Sequence, residues 1–487
     1  MKYHMFKTIN GKLFLTILLV IFSDILFFEQ KIGWTACIFS FLIIVAILLR
    51  NGKKLKCYSG YSNRIIIITL LLSLSLVENF SILSVSMVTI SLITFALPDN
   101  KKWQLNSIEW FIRVRYLFFR SWLSFIYNQI QYNSITSINK TNQLSKGGIF
   151  RGWLLPVAAS IMFIFLFSDA NPIIYKYVNK INLTSLLNIF DFVSIRRIIW
   201  WLISASICWK FIRPKVKFKK KKSKTIRIEA VNNIYSYVFT KDSIFRSLII
   251  FNIIFLLQNV MDIKYLWVAA EIPPGFTLSQ YAHKGAYTLI VTAILSAIFS
   301  LLFLRSNSSN LTKWLIKLWV GQNILLVISS IWRTMLYIED YSLTYLRTAS
   351  LMWMSIVALG LAYIIIKIIY NKSSIWLVNI NVITVLFTLY ISCFINFGYF
   401  ISNYNVNSSL EITGQGRSLD IYYLQEIGTS SLPAINIALN ELDHRSAKYS
   451  QLLYIKNALE SKVVTEASNW RSWTYRKYRI AREVYKK

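Results

Sequence analysis

The stretch IWRTMLYIEDYSLTYLR, residues 331–347, sets Arg333, Tyr337, Glu339, Asp340, Tyr341 and Arg347 between two long apolar runs. An arginine fork matches a carboxylate or phosphate with two parallel hydrogen bonds. Arg333 precedes Glu339 by six residues, which places it ~9 Å deeper on a helix. Arg347 is as deep on the returning helix, and in lipid such arginines need a carboxylate partner or a wet cavity. Two readings stand side by side. One is an ion-paired hairpin, with Arg333 and Arg347 held by Glu339, Glu271 or the helix ends. The other is a cationic, aromatic-lined pocket for an anionic group, lined by Arg333, Arg347, Tyr337, Tyr341, Glu339 and Tyr281.

Tyr281 belongs to a second polar loop, which also carries Asp262, Lys264, Glu271, His283 and Lys284. His283, oriented by Glu271, has the make-up of a general acid or base. A lone loop histidine more commonly serves as a hydrogen-bonding residue. The scattered His4, His283 and His444, with Cys37, Cys57, Cys208 and Cys393, form no ligand spacing, so neither a metal nor a disulfide framework is expected. The chain contains no phosphate-binding glycine loop, no H-E-x-x-H and no G-x-S-x-G, and no cofactor is expected.

The elements that must position these residues follow from composition. Of 487 residues 55% are hydrophobic and 15% charged, with a mean hydropathy of +0.48. Apolar runs near the ~18 residues of a bilayer span recur along the chain. The fold class expected is all-α: a polytopic helical membrane protein of about eleven spans, ten to twelve in range. The expected spans are 13–28, 32–49, 65–77, 80–97, 153–167, 198–212, 244–260, 286–304, 314–337, 344–370 and 375–401. The net charge of +33 collects in short loops between them, most densely as seven lysines in 214–224. That is the pattern of cytoplasmic loops rather than of a nucleic-acid surface. It places the N-terminus in the cytoplasm, the C-terminus outside, and both polar loops on the outer side.

The organisation expected is a four-helix region (1–97), a cytoplasmic interfacial segment (98–151), and a two-helix region (152–213). A basic loop (214–243), a five-helix region (244–401) and a small helical extracytoplasmic domain (402–487) complete it. Within 98–151, aromatics mixed with Arg113, Arg115 and Arg120 suit a helix lying on an anionic leaflet, or one packed on the span ends. In the tail a helix over 419–427 ends at Gly428. Ser430 or Ser431 caps the next helix, with Pro433 in its first turn, and helices near 447–461 and 465–485 follow. Trp470, Trp473 and Tyr478 either pack against sibling helices or meet the outer leaflet.

Several anchors occur in one order. They are Tyr281-Ala-His283-Lys-Gly285-Ala-Tyr287, Gln322-Asn323, Arg333-x3-Tyr337, Tyr341-x-Leu343-Thr344-x2-Arg347 and Met352-Trp353-Met354. In the tail come Leu419-Asp420-x-Tyr422-Tyr423-Leu424, Gly428, Pro433 and Trp470-x2-Trp473. With these the chain resembles a bacterial family of polytopic inner-membrane proteins known as a domain of unknown function. The match runs over about 265–370 and parts of 419–478, the first 240 residues agreeing in hydropathy alone. The resemblance implies an inner-membrane location and candidate residues, and it passes on no activity. Three functions stay open. The first is permease-like handling of an anionic or amphipathic solute, with Arg333 and Arg347 in the path. The others are an enzyme modifying an envelope lipid or glycan, and a sensor or assembly scaffold using the tail. The partners expected are membrane lipids, an anionic solute or lipid headgroup, and a protein at the C-terminal domain, without nucleic acid.

Overall fold

The structure, a computed structural model, describes residues 8–51, 60–97, 106–120, 194–214, 240–268 and 309–485, with five positions between 292 and 299. All secondary structure among the described residues is helical. Helices α1 (Ile9–Phe27), α2 (Thr35–Asn51), α3 (Gly60–Glu78) and α4 (Ile82–Ala96) open the chain, followed by α5 (Ser107–Arg120) and α6 (Ile195–Ile212). Helix α7 (Lys241–Asp262) runs into a π-helical turn, Ile263–Val268, and α8 (Asn310–Tyr341), α9 (Tyr345–Ile369) and α10 (Ser374–Ser392) follow. A short polar side chain stands before seven of these ten helices. Thr8, Ser81, Ser194, Thr240, Ser309, Thr344 and Ser373 each accept a first-turn N–H, supplying the partner an exposed helix start lacks.

Five helical stretches among the described residues are long and apolar enough to cross a membrane: Ile9–Phe27, Asp242–Trp267, Asn310–Tyr341, Tyr345–Ile369 and Ser374–Ser392. Their outward faces carry Ile17, Ile21, Ile250, Leu257 and Phe387, each more than half exposed. A belt of that kind suits hydrocarbon as its solvent. The α1–α4 and α6 helices share one core around Leu19, Ile47, Cys208 and Ile212. Helices α7–α10 share another around Leu248, Trp319, Met354 and Leu361.

Hydrogen bonds fix the directions. Asp24, near the end of α1, accepts from Arg197 at the start of α6, so these two are antiparallel. Arg50 at the end of α2 donates to Phe211 O (2.8 Å) and Ala96 O (3.3 Å), so α2, α4 and α6 end together. The tail lies at the opposite ends. It consists of α11 (Phe397–Asn407), α12 (Leu410–Thr413), α13 (Ile421–Ile427), a 3-10 turn (Gly428–Ser431), α14 (Leu432–Glu441), α15 (Ala447–Ser468) and α16 (Tyr475–Tyr485). Val406, Leu424, Leu432, Ile435, Leu452 and Val463 fill a core of its own.

Several boundaries differ from the sequence expectation. The last apolar run, 375–401, is broken at 393–396, where Asn396 caps α11 by accepting from Tyr399 N (3.2 Å) and Arg476 donates to the released Ile395 carbonyl. Gly428 does end α13, in the left-handed region at φ +78°, a conformation glycine adopts without strain. Ser431 does not cap α14; its hydroxyl turns back to Leu424 O and Gly428 O. Helix α15 continues past 461 to Ser468 and α16 begins only at Tyr475. The expected span 153–167, the basic loop and most of 286–304 lie outside the described residues, and so do Glu271, Tyr281, His283 and Lys284.

Candidate functional site

Helices α7 and α8 run in the same direction, joined by two asparagines seven residues apart. Asn252 Nδ2 donates to Leu248 O on its own helix (2.7 Å) and to Leu315 O on α8 (3.2 Å). Asn259 repeats the pattern with Phe255 O (2.8 Å) and Gln322 O (3.2 Å). Phe251, beside the first rung, and Phe255, between the two, pack on the Trp319 ring at 5.2 and 5.8 Å. Trp267 Nε1 extends the ladder to Ser329 Oγ (3.3 Å). An apolar interface with polar rungs at one turn-pair spacing fixes both register and depth, since backbone carbonyls supply the acceptors.

This register brings Asp262 against Arg333, and the guanidinium donates to Asp262 Oδ1. Gln258 Nε2, one turn back, donates to the same oxygen at 3.0 Å. The two charged side chains are only 3% and 6% exposed, so each needs the other in this setting. Among the described residues Asp262 Oδ2 is buried without a hydrogen-bond partner, and so are Asn252 Oδ1, Gln322 Oε1 and Asn323 Oδ1 along the same interface. Each of these three asparagine and glutamine residues is more than nine-tenths buried.

From Arg333 a line of side chains at i, i+4 and i+8 follows one face of α8 to its end: Arg333, Tyr337, Tyr341. The two tyrosine rings stack at 4.7 Å. The Arg347 guanidinium covers Tyr337 at 4.2 Å, and Arg417 from the tail covers Tyr341 at 3.9 Å. Arg347 also donates to the carbonyls of Tyr341 and Ser342, which end α8. A cation there meets the negative end of the helix dipole. The turn is strained at Ser342, φ +66°, and is held by Asn405, whose side chain pairs with both Leu343 N (2.7 Å) and Leu343 O (2.9 Å). Among the described residues neither Arg347 nor Arg417 has a carboxylate within ion-pair distance.

Of the eight side chains singled out in the sequence, five are described and four of these are brought together. Among the described residues Arg333 takes Asp262 rather than Glu339, and Arg347 takes the helix-end carbonyls that the ion-paired reading allowed for. Glu339 and Asp340 are exposed. Arg333, Tyr337, Tyr341 and Arg347 do come together. Two contributors were not foreseen in these roles. Asp262 was legible as a loop acid but not as the partner of Arg333, because the contact depends on the parallel register. Arg417 sits in a polar linker with no periodicity to mark it.

A second, partly buried pair provides the contrast. Asp24 accepts from Arg197 Nε at 2.9 and 3.1 Å and from Trp201 Nε1 at 3.0 Å. Arg197 also covers the Phe28 ring at 5.0 Å. Both carboxylate oxygens are occupied there, which is what a structural clamp requires. In the α7–α8 pair one oxygen is left over.

The family described as a domain of unknown function (DUF4153) matches residues 64–437. The match reaches well into the N-terminal helices, which sequence anchors alone had not tied to the family, and stops before α15 and α16. No curated protein and no solved structure matches the chain.

Proposed function

We propose, for a chain that belongs to the DUF4153 family, a permease-like function in which a singly charged anionic solute enters along the Arg417–Tyr341–Tyr337–Arg347 column toward Arg333. The observation that carries it is this column of guanidinium and tyrosine groups. Among the described residues it has no carboxylate of its own, and it leads down one face of α8 to a buried ion pair in which Asp262 Oδ2 has no hydrogen-bond partner among those residues. Guanidinium groups without acid partners are ready donors for an anion, and the tyrosine faces hold them in place. The reading includes eleven crossings with a cytoplasmic N-terminus and an extracytoplasmic tail. It draws support from the tail's reaching the α1–α2, α3–α4 and α8–α9 turns together, which an even number of crossings between those turns allows. The parallel run of α7 and α8 likewise calls for one return between them.

Uptake of labelled lactate and ethanesulfonate into proteoliposomes tests the reading, with Arg347→Ala and Arg417→Ala as probes. Each variant is expected to lower uptake about tenfold, the loss of roughly one charge-assisted hydrogen bond. Unchanged uptake in both, or none in the wild type, overturns it.

A second reading rests on the tail, whose Trp470, Tyr475 and Tyr478 are nearly half exposed beside Arg471 and Arg479. Aromatic and arginine groups in that mixture are typical of protein interfaces, and an assembly role would use them. Loss of a co-purifying protein from a Tyr478→Ser, Arg479→Glu variant would favour it.

A further inference from the structure

We infer that Asp262 is a proton-binding site which makes the anion's occupation of Arg333 a joint uptake of one anion and one proton. The inference rests on the permease-like reading and adds its coupling ion. Arg333 is the one charged group acting on Asp262 among the described residues, Gln258 being its other hydrogen-bond donor. The remaining charged group on this end of α7, Lys264, lies over the Tyr265 ring at 5.4 Å. On α8 the nearby acids Glu339 and Asp340 are exposed at the helix end.

An anion that accepts from Arg333 therefore removes the only cation, among the described residues, from a carboxylate that is 3% exposed. An unpaired buried carboxylate does not persist in the charged form; it binds a proton. The proton goes to Oδ2, the oxygen that has no hydrogen-bond partner, while Oδ1 keeps Gln258. The exchange balances: the Arg333 cation and Asp262 anion, plus one external anion and one solvent proton, give an Arg333–anion pair and a neutral carboxylic acid. Net charge on Asp262, Arg333 and the bound anion is zero before and after, so the exchange itself leaves no uncompensated charge in the low-dielectric interior.

The rest of the interface fits a site that receives hydrogen. Asn252 and Asn323 have their amide N–H groups committed to Leu248 O, Leu315 O and Trp319 O, which fixes their oxygens as the free atoms. With Gln322 Oε1 they form a run of buried acceptors that lack donors. From Asn252 to Asp262 this run covers ten residues of α7, about 15 Å. Acceptors in surplus along this seam, among the described residues, leave it able to take up added hydrogen. The clamp at Asp24 shows no such surplus, both its oxygens being bonded.

The test uses the full chain in proteoliposomes carrying a pH-sensitive dye, with labelled lactate and ethanesulfonate as probes, since neither changes charge across neutral pH. Wild-type uptake is expected to acidify the lumen by one proton per anion. Below saturation its initial rate should rise about tenfold for each unit of external acidification, as mass action on one proton requires. Asp262→Asn, which mimics the protonated acid, should take up anion without lumen acidification and without dependence on pH. Anion uptake with no accompanying proton in the wild type overturns the coupling and leaves the permease-like reading in place. No uptake of either probe removes both. Lumen acidification that needs no anion also overturns the coupling. Should Asp262→Asn fail to fold, the wild-type ratio of protons to anions decides alone.

Discussion

At the scale of single residues, two aspartate–arginine pairs, one buried and one partly buried, differ in how completely their carboxylates are bonded among the described residues. A buried pair broken by removing one partner leaves a bare charge and costs about 3–5 kcal/mol, whereas replacing both partners by apolar groups is often close to neutral. Asp262→Ala or Arg333→Ala should thus lower the unfolding temperature sharply, and the double change Asp262→Leu with Arg333→Met should recover most of it. Thermal unfolding in detergent measures this. If the double variant is stable yet takes up no anion, the pair is kept for function and not for stability. If the double variant is no more stable than the singles, the pair is the structural clamp that Asp24 and Arg197 form elsewhere. Arg347 shows how far residue type alone carries a reading. An arginine there was expected to need a partner, and it has one in the carbonyls that end α8, one of the partners the ion-paired reading offered.

At the scale of elements, the parallel α7–α8 pair is the unit that positions everything else, and its register rests on Asn252 and Asn259. An interhelical hydrogen bond in this setting contributes about 0.5–2 kcal/mol, and the two rungs are too far apart along the helix to couple strongly. Asn252→Ala and Asn259→Ala should each destabilise by that amount, and the double variant by about their sum. Denaturant unfolding monitored by helical circular dichroism is the measurement. A single substitution that costs as much as the double would mean that the rungs act as one unit. The helices themselves were legible: hydropathy located α1, α2, α4, α6, α7, α8 and α9 to within a few residues, because lipid-length apolar runs leave little alternative. The seam was not. Both asparagines read as isolated polar residues in apolar runs, since seven-residue spacing becomes meaningful only once the partner helix and its direction are known. The break at 393–396 escaped for a related reason. Cys393, Phe394 and Ile395 continue the apolar run, and the helix stops on the Asn396 cap and the Arg476 contact with Ile395 O.

At the scale of the whole molecule, the tail acts as a clasp over helix turns that are far apart in sequence. Trp34 N donates to Trp473 O at 2.9 Å, and Trp34 Nε1 reaches Trp470 O. Gly33 lies so close that a Cβ there would sit 2.5 Å from the Ser472 and Trp473 backbone, so only glycine allows this approach. Glu78, in the α3–α4 turn, accepts from Arg476 at 3.2 Å, and Tyr423 OH accepts from Tyr345 N at 2.9 Å. Glu466 joins the clasp by pairing with both Lys477 (2.9 Å) and Lys31 (3.3 Å). Burial pushes the Glu466 carboxyl up, but these two ammonium groups outweigh it and hold the carboxyl below the ordinary glutamate range. A carboxyl depressed on docking adds stability that is complete above the undocked glutamate range and is lost as pH falls through the docked value. Docking of the α15–α16 turn should therefore be unchanged across neutral pH and should loosen only under acid conditions. Lys31 is 68% exposed, so its share is screened, and raised salt at neutral pH should loosen the clasp only slightly. Hydrogen exchange over residues 466–478, corrected for intrinsic rates, follows the change. Glu466→Gln should exchange faster than wild type at neutral pH and lose most of the acid dependence. Wild type and variant with the same pH profile would show that the clasp is held by Gly33, Trp34 and Trp473 without help from the carboxylate.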